Sequence, residues 1–143
     1  MNDTDLKTLT APGQTIAVVG LSPNPDRASH EVARYLQEHG FRVVPVRPGI
    51  DEILGQKAYA RLEDIPEHVD IVDVFRKAED TPPVAESAVR IGAGALWLQL
   101  GIENEVAASI AATGGLQVVQ NRCMKLEHQR LWASGENGSA DHG

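Results

Sequence analysis

Residues 17–46 read AVVGLSPNPDRASHEVARYLQEHGFRVVPV, and this stretch has the pattern of a strand, a turn, a helix and a second strand. One apolar run ends at Gly20, and a second begins just after Gly40. Between them, side chains recur at the spacing of one helical face, at Val32, Tyr35, Leu36 and His39. Gly40 is suited to end that helix in the left-handed conformation. The stretch therefore predicts a helix that connects two parallel strands.

Five short apolar runs in the chain are near-continuous rather than alternating, which is typical of parallel strands covered on both faces. They are Thr15–Val19, Arg42–Val46, Ile71–Phe75, Ala95–Leu98 and Gln117–Gln120. Helical segments separate most of them, so we predict an α/β fold with a doubly wound, parallel, five-stranded sheet in the order 3-2-1-4-5. The second strand is internal in that order, and we expect Pro45, which lacks an N–H, to lie where pairing has ended.

The length of 143 residues suits one domain with a proper core. We predict a single domain over residues 1–132. The remaining residues, 133–143, read ASGENGSADHG, and their small polar side chains predict a disordered tail.

The formal net charge of −7 argues against nucleic acid or an anionic membrane as a general partner. No apolar run has membrane-spanning length, and the acidic amino terminus is unlike a signal peptide. We therefore expect a cytoplasmic protein. The single cysteine, Cys123, excludes an internal disulfide, and Cys/His clusters with zinc spacing are absent from the sequence, so we expect no metal site.

The binding site of such a sheet lies at the carboxyl ends of the strands, where the strand order reverses. In the predicted order that crevice lies between the loop at Gly20 and the loop at Gly101. Side chains at the predicted strand ends are the candidate site residues. They are Gly20, Ser22, Arg27 and Ser29 after the first strand, Val46, Arg47 and Pro48 at the second, Phe75, Arg76 and Lys77 at the third, and Gln99 and Gly101 at the fourth.

Basic residues follow each of the first three strands of an acidic protein. An arginine suits phosphate oxygens, and the start of the first helix adds N–H donors. Ion pairs with Asp26, Asp51 or Asp73 are the competing interpretation for these arginines. An NAD site calls for an acidic residue where Arg47 stands, so NAD is disfavoured, whereas NADP and coenzyme A, each with an extra phosphate, remain open.

Four stretches resemble the small stand-alone CoA-binding domain proteins, which are relatives of the CoA-binding domain of succinyl-CoA synthetase alpha subunits. They read IAVVGLSPNPDRASHEVARYLQEHGFRVVPVRP, EILGQKAYARLEDIPEHVDIVDVFRK, IGAGALWLQLGIENEVAA and VVQNRCMKLEH, and they cover about residues 14–131. The resemblance implies a Rossmann-like fold that holds coenzyme A at the strand ends through the candidate residues above, Lys77 excepted. Ala28, where a proline is common, and Arg47, where an asparagine is common, depart from the family pattern.

The sequence favours non-catalytic or accessory binding of coenzyme A or an acyl-CoA over an enzyme. The sequence reveals no base for the hydroxyls of Ser22 and Ser29, and we expect no phosphohistidine domain of the kind that a succinyl-CoA synthetase type of ligase needs. Two alternatives remain open, a small NADP-dependent reductase and a CoA-sensing module for a partner enzyme, and a protein partner or a homodimer is compatible with either. Cys123 follows the last strand near the predicted site, and we interpret it first as a small buried apolar residue.

Overall fold

The structure is a computed structural model that describes residues 1–133. Its strands are β1 (Thr15–Val19), β2 (Arg42–Val46), β3 (Glu52–Ile53), β4 (Gln56–Lys57), β5 (Ile71–Val74), β6 (Ala95–Leu98) and β7 (Gln117–Val119). Its helices are α1 (Asp3–Leu9), α2 (Ala28–Glu38), α3 (Thr81–Arg90), α4 (Glu105–Thr113) and α5 (Met124–His128), the last continued by a π-helical segment, Gln129–Ala133. Short 3-10 helices span Leu62–Asp64 and Ala78–Asp80. The predicted tail lies outside the described residues, apart from its first position.

The five longer strands form one parallel sheet, which confirms the predicted Rossmann-like α/β fold. Their order is β2-β1-β5-β6-β7. The predicted order 3-2-1-4-5 is therefore wrong, because the third strand of this sheet, β5, pairs with β1 and not with β2. Ile16 of β1 accordingly lies between Val43 of β2 and Ile71 of β5.

The outer edge of β2 explains why β5 does not pair there. The N–H of Tyr59 donates to the carbonyl of Pro45 (3.0 Å), and the N–H of Arg47 donates to the carbonyl of Tyr59 (2.8 Å). Pro45 therefore directs its carbonyl, and the nitrogen that lacks a hydrogen, to the outer edge. A proline is tolerated on an edge strand, where no ladder partner needs its N–H. Pro45 is thus paired on an edge strand and does not lie beyond the pairing, contrary to our expectation.

The two faces of the sheet carry different helices, and we name them after α2 and α3. On the α2 face, α1, α2 and α5 cover side chains such as Ile16, Ile71 and Trp97. On the α3 face, α3 and α4 cover an aliphatic layer that includes Leu96 and Leu98. The helices on the α3 face contribute mostly alanines to this layer, and small side chains let helix and sheet backbones approach closely.

The predicted end of the first connecting helix is confirmed, since Gly40 follows α2 with φ at +89°. At the start of α4, the Asn104 side chain is the cap and accepts from the N–H of Ala107 (2.9 Å). The small β3–β4 hairpin was not predicted, since its two-residue strands leave no periodicity to detect. Within residues 1–133, no helix combines the length and apolar character needed to cross a bilayer.

Candidate functional site

The carboxyl ends of β1 and β5 meet at a very close backbone contact. Gly20 has φ at +85°, and a Cβ placed on it would lie 2.4 Å from the carbonyl oxygen of Phe75. The chain leaves β1 for α2 on one face and leaves β5 for α3 on the other. The order of the sheet thus reverses between β1 and β5, and not beside the loop at Gly101 as predicted.

A polar cavity of about 340 Å³ lies at this reversal point. Its lining consists of Gly20, Ser22, Arg27, Ala28, Ser29, Arg47 and Phe75. The structure therefore brings together six of the predicted site residues, from three different strand ends. All of them belong to this one cavity because β2 and β5 flank β1.

Hydrogen bonds within the β1–α2 loop hold the wall of the polar cavity in place. The N–H of Ser22 donates to Oγ of the buried Ser29 (2.9 Å), and the N–H of Asn24 donates to Oγ of Ser22 (3.0 Å). Ser29 stands in the first turn of α2, and its hydroxyl is used as an acceptor by the loop. The geometry gives Ser29 a structural role, and among the described residues no hydrogen bond joins either hydroxyl to a basic side chain.

The arginines of the polar cavity keep their charges unpaired. Within residues 1–133, neither Arg27, Arg47 nor the nearby Arg76 forms an ion pair, so the competing interpretation in which aspartates neutralise them is wrong. Arg47 Nη1 instead donates to the carbonyl of Leu21 (3.3 Å), which directs the guanidinium across the loop. By contrast, Arg42 on β2 binds Glu67 through two nitrogens. Unpaired guanidinium groups beside a helix start are suited to bind an anion.

An apolar cavity of about 540 Å³ adjoins the polar one and shares Ala28 and Phe75 with it. The rest of its lining comes from α2, the β5 and β6 ends, and α5. These residues are Glu31, Val32, Arg76, Lys77, Gln99, Leu100, Ile102, Cys123, Lys125 and Leu126. Arg76, Lys77 and Gln99 were predicted from strand ends. The lining residues from α5 were not predicted. Their position directly after β7, at the same edge of the sheet, is the sequence feature that could have identified them.

Three predicted residues, Val46, Pro48 and Gly101, line neither of these two cavities. Val46, Pro48 and Arg76 line a third cavity of about 340 Å³, next to the start of α3. Arg76 therefore borders both the third and the apolar cavity. Gly101 lines none of the three cavities, and its N–H donates to Oδ1 of Asn121 (2.6 Å).

Buried polar atoms without partners lie on the α2 face near this site. Among the described residues, both carboxyl oxygens of Asp73, Nδ1 of His30 and Oε1 of Gln99 have no hydrogen-bond partner. Asp73 is fully buried, and burial raises the pKa of its carboxyl to about 8. Its side chain is therefore mostly a neutral acid at pH 7. No group of three metal-ligating side chains occurs in the part of the chain that the structure describes.

Comparison with known proteins gives a family and a set of similar chains. A family model described as CoA binding domain matches residues 14–129. The uncharacterized protein YneT of Bacillus subtilis (strain 168) is 41% identical over 124 residues, which are 87% of this chain and 92% of YneT. A hypothetical protein of Pyrococcus horikoshii OT3 has a similar structure, with a TM-score of 0.89, 40% identity and 92% coverage of both chains.

Longer proteins contain a similar region. Acetate–CoA ligase [ADP-forming] II of Archaeoglobus fulgidus is 33% identical over 104 residues. The match covers 71% of this chain but only 15% of that ligase. The likeness to the ligase is thus confined to one region of a much larger protein.

Proposed function

The chain belongs to the CoA binding domain family, and we propose that it binds coenzyme A or an acyl-CoA without covalent attachment. One observation carries the proposal: a polar cavity with unpaired arginines opens directly beside a larger apolar cavity, and Phe75 borders both. A ligand with a charged diphosphate at one end and a long, weakly polar arm at the other matches this arrangement.

The polar cavity is suited to the diphosphate. Ala28 and Ser29, the first two residues of α2, line it, and the N-terminal end of the helix dipole favours a negative charge there. Arg27 and Arg47 line the same cavity, so both are within the reach of a phosphate group of one ligand. Their unpaired state means that no internal ion pair has to be broken when the ligand binds.

The apolar cavity is suited to the pantetheine arm and an acyl group. Its volume lies in the range of small-molecule sites. Gln99 lines this cavity and its enclosed Oε1 has no partner among the described residues, so a rotation of its amide would provide an acceptor for one of the two amides of pantetheine. The third cavity, lined in part by apolar side chains such as Val46 and Pro48, is suited to the adenine. In this arrangement the three cavities account for every proposed binding residue except Gly101.

The proposed role is binding, and ligation is not part of it. The ligase that resembles this chain has most of its length outside the shared region. Among the described residues, the hydroxyls of Ser22 and Ser29 form no hydrogen bond with a basic side chain. Use of the bound coenzyme A by a partner protein is compatible with this role. A small NADP-dependent reductase is the competing function, and the relative affinities for coenzyme A and NADP distinguish the two.

Calorimetric titration with coenzyme A, dephospho-CoA, NADP and NAD tests the proposal. We expect coenzyme A to bind more tightly than NADP, and NAD to bind weakly. Tighter binding of NADP than of coenzyme A would replace this proposal with the reductase.

Variants of three arginines show which groups hold the phosphates. We expect Arg27→Ala and Arg47→Ala each to weaken binding of coenzyme A about tenfold, since a charge-assisted contact contributes about 1.5–3 kcal/mol. Arg34→Ala is the matched control, because Arg34 is exposed on α2 and lines none of the three cavities. The arginine whose loss removes the preference for coenzyme A over dephospho-CoA is the one that contacts the 3′-phosphate. If all three variants bind equally well, the arginines form an ordinary solvated surface.

A further inference from the structure

Cys123, which the proposed binding mode does not use, lines the apolar cavity and is partly exposed there. Its position is well defined. The indole Nε1 of Trp97 donates to the carbonyl of Arg122 (2.8 Å), and the N–H of Asn121 donates to the carbonyl of Ile102 (3.1 Å). These bonds hold residues 121–123 across the carboxyl end of β6. Cys123 therefore packs against the core on one side and borders a cavity between α2 and the strand ends on the other.

A second observation points to a ligand in the same cavity. Gln99 is only 6% exposed, it lines the cavity, and its Oε1 has no partner among residues 1–133. A buried carbonyl oxygen without a donor is unfavourable, and rotation of the Gln99 side-chain amide at the cavity wall would let a ligand N–H satisfy it. The cavity thus joins a thiol to an unsatisfied acceptor, which suits a ligand with both sulfur and amide groups.

The charges around the cavity favour an anionic ligand. Lys125 is paired with Glu31 (2.7 Å), whereas Arg76 and Lys77 form no ion pair within the described residues. Phe75 lies between the polar and the apolar cavity. A ligand that places its phosphates in the polar cavity would therefore extend past Phe75 and place its sulfur in the apolar cavity, which Cys123 lines. A disulfide without phosphates would lack this attraction.

We propose that Cys123 forms a reversible mixed disulfide with coenzyme A, an inference that rests on the proposed function. The thiolate of Cys123 attacks one sulfur of CoA disulfide, the oxidised dimer of coenzyme A. A bond forms between Cys123 Sγ and that sulfur as the original S–S bond breaks. The second coenzyme A leaves as a thiolate with the electron pair of the broken bond. An excess of coenzyme A thiol reverses the exchange, so the fraction of modified protein follows the ratio of CoA disulfide to coenzyme A.

Intact-mass kinetics on the full-length protein tests this step. CoA disulfide, glutathione disulfide and hydroxyethyl disulfide are each added at equal concentration, and the rate of adduct formation is followed. We expect CoA disulfide to react at least tenfold faster than either of the others, with a rate that saturates as its concentration rises. Acetyl-CoA, whose sulfur is blocked, should slow the reaction by occupying the site, and a reductant should remove the adduct.

Variants separate guided exchange from simple exposure of the thiol. Arg27→Ala should lower the rate with CoA disulfide about tenfold and affect hydroxyethyl disulfide far less, while Arg34→Ala should change neither. Cys123→Ser is the blank for adduct formation. Equal rates for the three disulfides, or no protection by acetyl-CoA, would overturn the inference.

Calorimetry separates failure of the inference from failure of the proposed function. If coenzyme A binds but the disulfides react alike, only the exchange is wrong. If coenzyme A does not bind at all, the proposed function fails and the inference fails with it. All wild-type measurements remain informative even if Cys123→Ser folds poorly.

Discussion

The two faces of the sheet are built from the same strands but bury different chemistry. On the α3 face, the buried layer is aliphatic, with Leu96 and Leu98 against the alanines of α3 and α4. On the α2 face, the strands and α2 also bury Asp73, His30 and Gln99 with unpartnered polar atoms. An unpaired buried polar group lowers the free energy of unfolding, whereas the burial of aliphatic surface raises it. We infer that the aliphatic layer of the α3 face mainly stabilises the fold, while the α2 face gives up stability where it borders the polar and apolar cavities.

The largest effect should come from a cavity in the α3 face. Leu96 is fully buried, so Leu96→Ala should lower the free energy of unfolding by about 4 kcal/mol. Because Leu96 lies on the face away from the apolar cavity, the folded fraction should keep its affinity for coenzyme A within about twofold. Denaturant unfolding and calorimetry measure the two quantities. Val106→Ala, at a side chain that is 59% exposed, is the control. A large loss of affinity in folded Leu96→Ala would show that the two faces are not separable in this way.

A substitution at Gly20, which lies at the end of β1 and lines the polar cavity, should reduce both the stability of the fold and the binding of coenzyme A. Gly20→Ala adds a Cβ against the Phe75 carbonyl at a positive φ, so we expect a loss of about 3 kcal/mol of stability and no measurable binding of coenzyme A. Gly13→Ala is the matched control, because Gly13 also has a positive φ but has no atom within 4 Å of the added Cβ. We expect it to cost about 1 kcal/mol through backbone strain alone. Equal effects of the two variants would mean that the close contact at Gly20 is easily relieved.

The buried acid of the α2 face should make stability depend on pH. Burial raises the pKa of Asp73 from 3.8 to about 8, so between these values the unfolded chain has lost a proton that the folded chain keeps. Stability from this group therefore falls as pH rises through that window, by up to about 1.4 kcal/mol per pH unit.

Asp73→Asn should remove this dependence. Its free energy of unfolding, relative to wild type, should improve by about 2.6 kcal/mol between pH 5 and pH 7, which is nearly the full effect of two pH units. Unfolding curves across this range measure it, with Asp51→Asn at an exposed position as the control for losing one carboxyl. Parallel pH profiles for wild type and Asp73→Asn would show that Asp73 finds a partner in solution.

The smallest change in stability should come from Gln99. Gln99→Leu removes an unsatisfied buried acceptor, so we expect the free energy of unfolding to stay within about 1 kcal/mol of wild type. Binding of coenzyme A should nevertheless weaken about fivefold, since the acceptor for an amide N–H is lost. The opposite substitution at the preceding residue, Leu98→Gln, places an amide in the aliphatic layer of the α3 face and should destabilise the protein severely. Unchanged binding in Gln99→Leu would remove Gln99 from the proposed site.

Residues of the candidate site that are close in sequence were the easiest to predict. Gly20, Ser22, Arg27 and Ser29 belong to one loop, and local patterns identify that loop as the turn between a strand and a helix. The rule that ligands bind at the carboxyl ends of parallel strands added residues such as Arg47 and Phe75. Their part in binding coenzyme A remains a prediction, which the arginine variants test.

The grouping of these residues could not be predicted in the same way. Which strand ends share a cavity depends on the strand order. Because the predicted order was wrong, the binding crevice was predicted beside the loop at Gly101 and not at the contact between the ends of β1 and β5. The contribution of Lys125 and Leu126 depends on how α5 packs beside α2. No local periodicity encodes such packing.

The amino-acid sequence by itself determined the alternation of strands and helices, the parallel sheet and the edge at which its polar loops gather. Those features follow from hydrophobic periodicity, glycine positions and helix caps, which act over a few residues. Only the tertiary structure decided the order of the strands. That order depends on Tyr59 pairing with the outer edge of β2, where Pro45 has no N–H to offer a further strand. The β1–β5 pairing on the other side of β1 joins residues far apart in the chain, such as Ile16 and Ile71, so the order emerges only when the whole sheet assembles.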